Sequence, residues 1–271
     1  MDTNESVNKK LDGCPILIHT ELHRFETNCR TYLDKNTIII GQRGSGKTLL
    51  ALYEIYGKVQ GNIDELCLIC PKLSHCMDEY SKYIDKIYNI EDLASNVSIN
   101  RTSGRKYMII IDGCDYYINN KMIEELIMCN SNMDTTIVVL LQSSILNIYT
   151  RDKIHNVLVA HEYNNTQIKR MYEHYFGIFP KLNMFRDIIQ HLSSYEFLFA
   201  NNISDSINIQ DRVGYIKSNM DVKLEEKSKN LNNDTGLLII SNQNNAELIG
   251  RISACIDELI DIRNQLKREY K

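Results

Sequence analysis

"GQRGSGKT", residues 41–48, decides how the rest of the chain is read. It fits the pattern G-x-x-x-x-G-K-[S/T]. An apolar run, "TIII" (37–40), precedes it, and a helical pattern, "TLLALYEIYGKV" (48–59), follows. Strand, loop and helix in that order are the context in which this pattern is a phosphate-binding loop. Its glycines let backbone N–H groups close around phosphate oxygens, and the N-terminus of the next helix adds partial positive charge. The residues expected to touch a nucleotide are therefore Gly41, Gln42, Arg43, Gly44, Ser45, Gly46, Lys47, Thr48 and Leu49. Lys47 is expected to reach the β- and γ-phosphates, and Thr48 to place its hydroxyl on Mg2+.

ATP is preferred to GTP as the ligand. A guanine-reading N-K-x-D string is not found; the nearest, Asn120 to Ile123, reads N-K-M-I. A small-molecule kinase would carry an arginine-rich lid, whereas the arginines here are dispersed.

Outward from the loop, short apolar runs alternate with helical patterns. The runs are 37–40, "LCLIC" (66–70), "YMIII" (107–111), "TTIVVLL" (135–141) and "NVLVA" (156–160), with "YEFLFA" (195–200) later. Their continuous apolar character predicts strands covered on both faces. Helices are expected at about 48–59, 75–88, 119–129, 165–175 and 181–192. The alternation predicts a mainly parallel sheet with right-handed crossovers and helices on both faces. The α/β domain is placed at 34–217, after an N-terminal extension (1–33). A polar linker follows (218–245). The end of the chain, 246–271, spaces Leu248, Ile252, Cys255, Leu259, Ile262 and Leu266 as a heptad seam, so it is read as an amphipathic C-terminal helix.

Composition excludes several classes. A net charge of −4 does not suit a protein that coats nucleic acid by bulk charge. The opening "MDTNESVNKK" lacks the apolar core of a secretory signal, and runs such as "IVVLL" (137–141) are too short to span a bilayer. A soluble intracellular protein is expected. Eight cysteines without such a signal are read as free thiols. Cys67 and Cys70 form a C-x-x-C, but their odd spacing in a strand points them to opposite faces, so they are read as small buried hydrophobes rather than zinc ligands.

In an open parallel sheet, chemistry gathers at the carboxyl ends of the strands. The run 107–111 ends in Asp112, the expected magnesium carboxylate. A motor usually puts a second acid directly after it, and here that place is Gly113. Asp115 is the nearest acid that could orient the attacking water; Glu124 and Glu125 lie in the next helix. Gln142 ends the run 135–141, where a polar side chain can sense the γ-phosphate. Arg151 lies between the fourth and fifth runs, a candidate arginine finger for a neighbouring subunit. Between Leu93 and Ile111 there is no acid, and Arg101, Arg105 and Lys106 make a locally basic loop suited to a DNA backbone.

In this order, "GQRGSGKT", "LCLICPKL" (66–73), "MIIIDGCD" (108–115), "MDTTIVVLLQSS" (133–144) and Arg151 resemble the DNA-packaging ATPases of poxviruses and other large cytoplasmic DNA viruses, of the FtsK/HerA group. The resemblance runs from about 34 to about 205. It implies a RecA-like (ASCE) P-loop NTPase that binds ATP and Mg2+ and drives double-stranded DNA into the virion. It further implies a homo-oligomeric ring, viral assembly proteins as partners, and work in the host cytoplasm at virus assembly sites, or association with the virion. Lys47, Thr48, Asp112, Gln142 and Arg151 take the family's nucleotide, metal, sensor and finger positions; Gly113 departs from its pattern. That departure keeps a second reading open: a nucleotide-binding assembly or structural protein of the virion with little or no hydrolysis.

Overall fold

The structure is a computed structural model, and it describes residues 22–71, 80–90, 104–117, 121–128, 134–142, 146–206, 208–218 and 222–224. The linker and heptad seam, apart from 218 and 222–224, lie outside the described residues, as does Arg101.

Every apolar run forms a strand. They are β1 (Asn36–Ile40), β2 (Glu65–Cys70), β4 (Tyr107–Ile111), β5 (Thr135–Leu141), β6 (Asn156–Ala160) and β7 (Glu196–Asn201). Two more, β3 (Lys86–Asn89) and β8 (Val213–Lys217), complete one sheet in the order β3-β2-β4-β5-β1-β6-β7-β8. All pairings from β3 through to β6 are parallel. Two apolar layers flank the sheet, which is why its strands read as continuous rather than alternating. Ile38 and Ile40 belong to one layer and Ile39 to the other. Cys67 and Cys70 are split between the same two layers, both buried and neither in a disulfide.

Helices link the strands. The one after the phosphate loop, α2, is α-helical over Lys47–Leu49, π-wound over Leu50–Tyr56 and α-helical again over Gly57–Val59. A short α1 (Cys29–Tyr32) precedes β1; α3 (Lys121–Met128), α4 (Ile148–Arg151), α5 (Asn165–Tyr175) and α6 (Leu182–His191) follow.

One feature differs from the sequence reading. The helix expected over 75–88 does not reach its end: residues 86–89 are β3, paired in register Cys67↔Lys86 to Cys70↔Asn89, while 72–79 lie outside the described residues. The carboxylate of Asp85 accepts the Leu66 N–H (2.7 Å) and seats this edge strand. The sheet is mainly parallel, as expected; β7 alone is reversed, antiparallel to both β6 and β8. Two helices, α5 and α6, separate β6 from β7. One carries the chain away from the carboxyl edge and the other returns it there, so β7 enters from the opposite end.

The chain before α1 reaches the far edge of the sheet. Arg24 bridges Tyr215 of β8, with Phe25 N–H donating to Tyr215 O (2.9 Å) and Tyr215 N–H to His23 O (3.0 Å). Further on, the Thr27 hydroxyl donates to Glu54, a buried carboxylate inside the π-wound part of α2.

Candidate nucleotide-binding site

β1 delivers Gly41 to the carboxyl edge of the sheet between β5 and β6, its two neighbours. Gly41 N–H donates to Leu141 O at the end of β5 (3.0 Å). A Cβ at Gly41 would lie 2.6 Å from Ser45 Oγ and 2.7 Å from Ala160 Cβ, so only glycine lets the loop turn this tightly. Gly44 and Gly46 adopt φ of +82° and +91°, the left-handed region that glycine enters without strain. Lys47 opens α2 and folds back over the loop; its Nζ donates to Gly41 O (2.7 Å) and Gln42 O (3.0 Å). Burial lowers the Lys47 pKa, opposed by the carboxylates of Asp112 and Asp115.

The neighbouring strand end supplies the acid. Asp112 follows β4 and is 8% exposed. Its Oδ2 accepts the hydroxyls of Thr48 (3.1 Å) and Tyr80 (3.1 Å). Burial raises its pKa; the two hydroxyls, Lys47 and the Gly113 N–H pull the other way. A hydroxyl at the loop and a buried carboxylate sharing one space make the donor set of a hard, oxygen-seeking divalent cation. That carboxylate's unfavourable burial is the kind that a cation relieves.

Asp115 lies in the turn after Gly113, which adopts φ +70°. Its Oδ1 accepts the backbone N–H of Gln142 (2.6 Å), joining the ends of β4 and β5. Glu124 instead accepts from Asn147, and Glu125 pairs with Lys121 (3.7 Å) on the exposed face of α3.

The fold thus gathers Lys47, Thr48, Asp112, Asp115 and Gln142 at one edge. It sets Arg151 elsewhere. Arg151 ends α4, and its guanidinium meets His174 in the last turn of α5. His174 is at the opposite end of α5 from Asn164, whose side chain caps its start beside Glu162. The described part of the basic loop also lies at the amino edge. Arg105 faces Glu65 (3.8 Å), and Lys106 N–H donates to Asp64 (2.8 Å).

Three residues have no motif to announce them. Tyr80 reaches Asp112 from the segment before β3. Glu162 accepts Gln42 Nε2 (2.8 Å) and the N–H groups of Tyr163 (2.9 Å) and Asn164 (2.8 Å), fixing the loop after β6 to the phosphate loop. Tyr195 lays its ring on Gly46: a Cβ there would fall 2.5 Å from Tyr195 Cδ1. On this β6–β7 flank the phosphate loop borders a cavity of about 670 Å3. Among the described residues no cluster of His, Cys, Asp or Glu is arranged as a metal site of three or more ligands, and no helix is long and apolar enough to cross a membrane.

No family model matches the sequence. Over 221 residues (73% of this chain and 83% of the other), it is 25% identical to uncharacterized protein 088R of Invertebrate iridescent virus 3. Among solved structures, it is similar to the genome packaging NTPase B204 from Sulfolobus turreted icosahedral virus 2. With ATP-gammaS bound, the TM-score is 0.52 at 14% identity, covering 68% of this chain and 97% of that one. With AMPPCP it is 0.53 at 14%, covering 69% and 99%. At such identities the likeness establishes architecture: the chain has the α/β fold of a P-loop NTPase, a mostly parallel sheet with its phosphate loop after the central strand β1.

Proposed function

We propose that the chain is an ATP-hydrolysing motor that packages viral double-stranded DNA, working as a homo-oligomeric ring at virus assembly sites in the host cytoplasm. One observation carries this reading: Lys47, Thr48 and Asp112 meet at the carboxyl edge, with Gln142 ending the strand between them. The shared fold with a protein described as a genome packaging NTPase supports it.

Lys47 holds its ammonium against two carbonyls of its own loop and can exchange them for β- and γ-phosphate oxygens. Thr48 and Asp112 would hold Mg2+, which supplies charge neutralisation at the transferring phosphoryl group. Asp115 and Gln142 act as a unit. The carboxylate fixes the end of β5 and, with several lone-pair positions, retains capacity to orient a water. Arg151 is proposed to serve a neighbouring subunit's site, and the basic loop of Arg101, Arg105 and Lys106 to touch the DNA backbone. Docking to viral assembly proteins belongs to the same proposal.

A second reading has its own support. Gly113 leaves no acid directly after Asp112, and Asp115 is already engaged by Gln142. A protein so built could bind ATP and assemble without turning it over. Phosphate release measured with and without double-stranded DNA separates the two. Turnover stimulated by DNA is expected of the motor; tight ATP binding without turnover would replace it with the assembly role.

A further inference from the structure

We infer that the cavity between the phosphate loop and β7 receives the nucleoside end of the nucleotide, and that the ring of Tyr195 is the platform on which the base stacks. The inference rests on the nucleotide-binding reading above and adds where, and by what chemistry, the nucleoside is held.

The site has two flanks. On the β4 side, the hydroxyls of Thr48 and Tyr80 both close on Asp112 Oδ2 at hydrogen-bond distance. A triphosphate whose terminal phosphate meets that acid must extend its other end toward β6 and β7. There the structure offers a cavity of about 670 Å3, bordered by Gln42, Arg43, Gly44 and Ser45 of the loop itself. Sites for small organic ligands span roughly 300–1,000 Å3.

The far wall is built for a flat, apolar face. Tyr195, 44% exposed, has a left-handed backbone (φ +63°), a strained choice for a residue with a Cβ. That backbone aims the ring at Gly46, so one edge meets the phosphate loop while the residue also lines the cavity. Its carbonyl accepts the Ser218 N–H (3.2 Å), which steadies the turn. On the other wall, Tyr163 stands 72% exposed, with the His161 ring edge-on at 4.0 Å. The segment carrying Tyr163 is tied to the loop by the Gln42–Glu162 hydrogen bond, so both walls are fixed to the element that holds the phosphates. The carboxylates on this flank are engaged: Glu162 as described, and Glu196 with the Ser193 N–H (2.8 Å). Recognition is therefore assigned to the ring face, which accepts any base, rather than to a reading of the base edge.

The test is equilibrium binding to the full chain, with Mg2+ present, of a non-hydrolysable ATP analogue, the matching GTP analogue and inorganic tripolyphosphate. The wild-type protein is expected to bind both nucleotide analogues more tightly than tripolyphosphate. Tyr195→Ala should weaken both analogues about tenfold or more, the loss of one stacked base, and leave tripolyphosphate unchanged. Tyr195→Phe should bind like wild type. Tyr195→Gly keeps the left-handed turn without strain, so it should melt no lower than wild type yet show the alanine variant's loss. Unchanged nucleotide affinity in both truncated variants overturns the inference. An equal loss for tripolyphosphate also overturns it, because the ring would then only shape the loop. Wild-type protein that binds tripolyphosphate as tightly as nucleotide removes the base pocket and spares the phosphate site; failure to bind any of the three removes both.

Discussion

Asp112 carries a charge that the polypeptide alone leaves poorly balanced. Burial raises its pKa, and the Thr48 and Tyr80 hydroxyls only partly compensate. The sign follows. The folded protein holds this proton more tightly than the unfolded chain does, so a penalty on folding develops as pH rises from about 4 through the raised value. Asp112→Asn removes the penalty. At pH 7 without ligand, the variant is expected to melt about 2–4 °C higher, the shift that about 1 kcal/mol produces in a domain of this size. Mg2+ with an ATP analogue should then stabilise wild type but not the variant; calorimetry of both proteins with and without ligand checks it, and a lower apo melting point would refute it. Asp115 gives a second expectation. Asp115→Ala frees the Gln142 N–H and removes the nearest acid after Gly113. Turnover should fall by at least about 10²-fold, the usual scale of a lost proton-transfer or water-orienting group, with ATP binding nearly intact. Unchanged turnover would end that role for Asp115.

At the scale of elements, β1 is secured at its start by a neutral histidine. His155 Nδ1 accepts the Asn36 N–H (2.8 Å), and burial, with Lys35 and Lys153 close by, lowers its pKa. A histidine lowered in the fold contributes stability above its ordinary pKa of about 6.5 and loses that contribution as pH falls below it. Thermal stability should therefore fall as pH drops below about 6.5, and His155→Asn, which keeps an acceptor near the same place, should flatten that part of the profile. The central strands were legible because each is covered on both faces and so is apolar throughout. β3, "KIYN", was not, since an edge strand half-buried along its length carries Lys86 and Asn89 and lacks that signal. β8, "VGYIK", is interrupted by Gly214, which is pressed against His23 O and Phe25. The site divides the same way. Lys47, Thr48 and Asp112 sit in contiguous motifs; Tyr80, Glu162 and Tyr195 join only because folding closes long loops, and no local pattern records such an approach. The candidate arginine finger and the basic loop were read from position along the chain, and folding carries Arg151 and the described part of that loop toward the amino edge of the sheet.

For the molecule as a whole, assembly is the property that decides between motor and scaffold. The heptad seam from Leu248 to Leu266 is proposed to pair between subunits. Removing 246–271 should then shift sedimentation to a smaller species, with turnover per subunit falling if neighbouring subunits complete each other's sites. An unchanged species would leave the segment as a helix of its own subunit. The strap at residues 23–25 adds a constraint on how subunits can meet. By bonding to Tyr215 it occupies hydrogen-bonding groups that β8 would otherwise present outward. At the other border, β3 is four residues long and carries Lys86, paired to Glu65 (2.9 Å). Short, charged or covered borders are how proteins deny a template to a stranger's strand. In the proposed ring, the borders seen among the described residues would leave helices and loops as the contact surfaces, so that subunits could rotate against one another without tearing backbone hydrogen bonds.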